Sequence, residues 1–166
     1  MFSKILIKLI DQAIVPALLL LTVRIVSVVL ISYQMGIPFS VSESGFLFNS
    51  TAQYVEVNSY SILAMIISLA LGLFYVLIKA MVFHSSHITP QTTARVFSAK
   101  LSFFIQNSYD PYSQGVIWLS YTFLLVLVSG IMTLFGLAFA WVFYLGLGVA
   151  VLATILFVID IEREMN

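Results

Sequence analysis

Three long apolar stretches separated by two polar segments organise the chain. The first, about Ala13 to Met35, and the second, about Tyr60 to Phe83, can each cross a hydrocarbon core about 30 Å thick, which takes about 20 helical residues. The third runs from Val116 to Ile159. As one helix it would reach about 65 Å at about 1.5 Å per residue, twice the core, so it must fold back on itself. The reversal falls near Gly136 to Ala140, which gives spans at about 116–135 and 141–159. So short a turn forces the two helices to lie antiparallel and adjacent. Backbone groups in lipid must be satisfied within their own segment, and four spans cannot close a barrel, so helices are the expected form. The pattern predicts an all-α, polytopic integral membrane protein, one four-span domain over residues 1–166.

The polar segment between the second and third spans has helical periodicity of its own. Thr89 and Pro90 make a plausible cap and first helical residue, and Ala94, Phe97, Leu101 and Phe104 recur at helical spacing. Arg95, Ser98 and Ser102 fall on other faces, and Lys100 adds a second basic residue. This predicts an amphipathic helix over about 90–106, with its phenylalanines in the acyl chains and Arg95 and Lys100 at anionic headgroups. A partner protein covering the same stripe is the competing expectation. The run from Asn107 to Tyr112 is expected to break that helix before the third span. In the other loop, Gln53 to Val57 alternates weakly, as a short hairpin strand would, and Asn49-Ser50-Thr51 fits a glycosylation acceptor, a match that chance supplies often.

Composition agrees with the pattern and removes several functions. Hydrophobic residues make up 61% of the chain and charged residues 8%, too little charge for the surface of a soluble domain this size. Seven basic and seven acidic residues balance, which argues against a nucleic-acid binder driven by phosphate neutralisation. Cysteine is absent, so disulfides, thiolate metal sites and cysteine nucleophiles are excluded. The first span is too long for a signal-peptide core and lacks a small-residue cleavage site, so it reads as a retained anchor. Lys4, Lys8, Lys79, Arg95, Lys100 and Arg163 all fall on one side of a four-span topology. The positive-inside rule then places both termini and the segment from His84 to Gln114 in the cytoplasm, most simply at the plasma (inner) membrane.

Arg24 is the exception, a basic residue near the middle of the first span with no Asp or Glu in any span to neutralise it. A charge there costs about 2.5–3.5 kcal/mol on insertion scales, so something has to satisfy it. Snorkelling is disfavoured, because from a central position neither surface is within comfortable reach of the stem; the other candidates are backbone carbonyls or the hydroxyls of Ser27, Ser68, Ser129 and Thr133, an acid from another subunit, or an anion in a wet cavity. Small residues at four-residue spacing mark packing faces: Ala64, Ser68 and Gly72 in the second span, Ser129 and Thr133 in the third, and Gly146, Ala150 and Thr154 in the fourth. His84 and His87 share a helical face, but a metal site needs a further ligand, and they read as a solvated helix end. Asp160, Glu162, Arg163 and Glu164 read as the charged stop of the fourth span.

With no catalytic constellation, no cofactor motif and no metal-binding cluster in the sequence, the expected function is that of a non-enzymatic membrane subunit or scaffold. Its expected partners are lipid and other membrane subunits, or itself, in a secretion, conjugation or transport assembly. The alternative is a small oligomeric transporter or channel with Arg24 at an anion site. A lipid-headgroup enzyme is a weaker third, since Asp110, Asp160, His84 and His87 alone could move protons.

Overall fold

Helices form where the apolar stretches lie, and they run further than hydropathy marks them. The computed structural model describes residues 2–43, 45–83, 90–99 and 109–165. In chain order it contains α1 (Phe2–Met35), β1 (Phe39–Ser42), β2 (Gly45–Phe48), α2 (Thr51–Phe83), α3 (Pro90–Ser98), α4 (Tyr109–Leu134) and α5 (Ala140–Met165). Four of the helices, α1, α2, α4 and α5, are long and apolar enough to cross a membrane.

Local chemistry sets the helix ends. At the end of α1, Gly36 has a φ of 65°, its N–H donates to the Tyr33 carbonyl at 3.2 Å, and Ile37 N–H donates to the Ser32 carbonyl at 2.9 Å. The end of α4 repeats this Schellman geometry, with Gly136 at a φ of 68° and N–H bonds from Gly136 to Thr133 (3.0 Å) and from Leu137 to Met132 (2.8 Å). The start of α2 is capped by Ser50, whose hydroxyl accepts the Gln53 N–H at 3.3 Å. That capping places Gln53 to Val57 inside α2, and the hairpin forms earlier, with Phe39 opposite Phe48 and Val41 opposite Phe46. Asp110 and Pro111 likewise open α4 instead of preceding it, because a proline in the first helical turn removes an N–H that has no intrahelical acceptor. Helix α3 covers the first part of the stretch expected to be helical over 90–106, and residues 100–108 lie outside the described residues.

Helix α2 is the centre of the bundle, packing against α1, α4 and α5, and it is the most buried of the four. One core cluster joins Ile62, Ile66 and Leu69 of α2 to Leu125 of α4, Ala138 of the turn and Val142 of α5. A second joins Leu73, Val76 and Leu77 to Ala153 and Phe157. In lipid, apolar burial does not by itself hold helices together, so close backbone approach and interhelical hydrogen bonds carry the association. The closest approach is at Gly72, where an added Cβ would collide with Cζ3 of Trp118, so the indole occupies the space a side chain would need. Gly115 makes the same room for the Phe157 ring, and Gly146 for Ile66.

Candidate functional site

The polar groups of the bundle gather at two levels. At the level of the chain termini, Tyr112 donates its hydroxyl to Asp160 Oδ2 at 3.1 Å, and Ser113 donates to Gln12 Oε1 at 3.2 Å, tying α4 to α5 and to α1. Asp160 is 2% exposed, so it is a buried interhelical acceptor, a role beyond that of a charged stop.

The second level lies beneath the hairpin and contains Arg24. The hydroxyls of Ser27 and Ser61 meet at 2.7 Å and fix the antiparallel register of α1 and α2. In that register Arg24 is level with Ala64, and Asn58 lies six residues nearer the hairpin, about 9 Å at about 1.5 Å per residue. The guanidinium spans the gap, and Nη2 donates to Asn58 Oδ1 at 2.7 Å. The charge thus sits well towards the hairpin end from its Cα, as a long stem allows. Asn58 passes the contact on: its Nδ2 donates to the Leu137 carbonyl in the turn between α4 and α5, at 2.6 Å. Next to it, Ser59 Oγ accepts the Phe139 N–H at 2.8 Å and donates to the Val55 carbonyl at 2.6 Å. Two consecutive side chains of α2 therefore satisfy a carbonyl and an amide of the tight turn, groups that a reversal surrounded by apolar residues leaves exposed.

Arg24 is only partly satisfied by this arrangement. Its Nη1 is buried and, among the described residues, meets no acceptor. The side chain lines a cavity of about 200 Å³ together with Val28, Gly45, Phe46, Phe48, Tyr54, Val57 and Asn58. The hairpin supplies one wall, and its aromatic residues are packed edge to face, Phe39 on Phe46 at 5.6 Å and Phe48 on Tyr54 at 6.0 Å between ring centres.

The hydroxyls expected near Arg24 go elsewhere. Ser68, Ser129 and Thr133 each donate to a carbonyl of their own helix, at 2.9 Å. Ser27 touches Arg24 only through its backbone carbonyl, at 3.1 Å. Of the expected packing faces, Gly72 and Gly146 lie at close helix contacts, and Ala150 is buried. Phe97 and Arg95 are exposed on α3, while Lys100, Leu101, Phe104, His84 and His87 lie outside the described residues. Among the described residues no group of three or more His, Asp or Glu side chains is placed to hold a metal ion. Asn58, Ser59 and Tyr54 were absent from the sequence-based candidates, although a helix counted from a Ser50 cap would have carried all three. Compared with known families, curated proteins and solved structures, the chain shows no significant match.

Proposed function

We propose that this chain is a non-enzymatic subunit or scaffold of a larger membrane assembly, of the secretion, conjugation or transport type. One observation carries the reading: α1 is the least buried of the four long helices and packs mainly on α2 and α4, with Leu18, Leu21 and Ile25 exposed along its length. A helix held to one side of its own bundle, with an apolar face left uncovered along its length, is well placed to pack on a neighbouring subunit.

In this reading both termini and the 84–114 segment face the cytoplasm at the plasma (inner) membrane, following the bias of basic residues. Helix α3 lies at the headgroups as an amphipathic helix, consistent with a Phe97 that is 60% exposed beside an exposed Arg95.

Photoreactive residues at Leu21 and Ile25, crosslinked in native membranes, test the assembly reading. The expected result is a protein adduct of defined mass at both positions, with none at the exposed Leu152 of α5 as the control. Lipid adducts alone at all three positions sink it.

A further inference from the structure

The cavity beneath the hairpin holds a charge whose hydrogen bonding the fold leaves incomplete. Nη2 of Arg24 is committed to Asn58, the Asn58 amide to Leu137, and the hydroxyls of Ser27 and Ser61 to each other. Nη1 remains buried without an acceptor among the described residues. Among the described residues no acidic side chain lines the cavity, so the described walls carry one formal positive charge. A buried guanidinium N–H with no partner is costly, and an anionic acceptor is the strongest remedy.

The lining restricts which anion fits. Val28, Phe46, Phe48 and Val57 offer nothing to replace the water shell of a multiply charged ion, so a single charge matching the single guanidinium is favoured. The planar fork of arginine suits the oxygens of a carboxylate or phosphate group. Tyr54, the other polar side chain besides Asn58 on the walls, offers a hydroxyl that can donate to a second oxygen. We propose that this cavity binds one monoanionic oxyanion group, a carboxylate or a phosphodiester, beside the guanidinium of Arg24 under the aromatic face of the hairpin. A small soluble carboxylate and a lipid headgroup are two sources of the same chemistry. The proposal stands apart from the assembly reading, since binding here requires no second subunit.

The test uses the full chain purified in maltoside micelles, with ¹³C-formate as the probe read by saturation-transfer NMR and with bound phospholipid assayed as phosphorus. Wild type is expected to give a saturable formate signal, or to carry about one phospholipid per chain. Arg24→Gln is expected to weaken formate at least tenfold or to lose the lipid. Phe48→Trp, which keeps the charge but fills the cavity, is expected to do the same, and it decides the matter if Arg24→Gln loses its helical circular dichroism. Displacement of formate by added phosphatidylglycerol identifies the lipid source, and its failure to displace identifies the soluble one. The proposal is overturned if phospholipid-free wild type gives no saturable formate signal, or if Phe48→Trp retains full binding.

Discussion

Asn58 and Leu137 stand 79 positions apart in sequence, and the side-chain amide of the first donates to the backbone carbonyl of the second at 2.6 Å. Because the opposite end of the same amide accepts from Arg24, Asn58 needs both a donor and an acceptor, and no other side chain of its size and charge supplies both. Removing it strands a guanidinium N–H and a turn carbonyl together. Asn58→Leu is expected to destabilise the folded chain by about 2–4 kcal/mol, at the upper end because one of the stranded groups is charged. Unfolding in mixed micelles measures this. Arg24→Leu in the Asn58→Leu background should recover at least about 1 kcal/mol, since an unpaired buried charge costs more than an apolar replacement of both partners. A strictly additive double mutant would count against the link.

Gly72 and Trp118 give a second test. A Cβ at position 72 would meet the six-membered ring of the indole, and Gly72→Ala is expected to cost about 1–3 kcal/mol by overpacking. Trp118→Leu removes the atoms that collide, so Gly72→Ala should cost less in that background than in wild type. Thermal unfolding of the four proteins of the cycle reads the difference.

At Gly136 the requirement is backbone conformation, because its φ of 68° is left-handed and nothing lies within 4 Å of an added Cβ. Gly136→Ala is expected to lose about 1–2 kcal/mol from strain alone, and Gly136→Asn less, since asparagine tolerates this region. Equal losses for both variants would point to a cause other than φ.

The lack of cysteine makes orientation directly measurable. Single cysteines at Val41, 72% exposed in the hairpin, and at Phe97 of α3 are expected to label from opposite sides of an intact membrane with an impermeant maleimide. Val41 should react from outside, and Phe97 only after permeabilisation. Labelling of both from one side would overturn the topology proposed from the basic residues.

Most of the helical architecture is readable from hydropathy, and what was missed has a physical reason. The turn near Gly136 is forced by the length of the third apolar stretch, and the glycine that makes it possible is visible in sequence. Asn58 is hidden because a hydropathy window starts a span where the residues become apolar, at Tyr60, whereas α2 begins at its Ser50 cap and runs two polar turns before that point. Those two turns carry Tyr54, Asn58 and Ser59, the residues that meet Arg24, its cavity and the turn. In the sequence Asp160 looks like a terminal charge, because its partner, Tyr112, lies 48 residues away, beyond any local pattern.

The paired side chains of Asn58 and Ser59 also bear on the order in which the bundle is built. The pair α4 and α5 follows α2 into the membrane during synthesis, carrying a carbonyl at Leu137 and an amide at Phe139 that its own two helices do not satisfy. The groups that receive them sit on α2, which the ribosome delivers first. The amino-terminal half is thereby a template for the carboxy-terminal half, and a fragment of α4 and α5 expressed alone is expected to insert but not to hold a protease-resistant turn until the first half is supplied in trans.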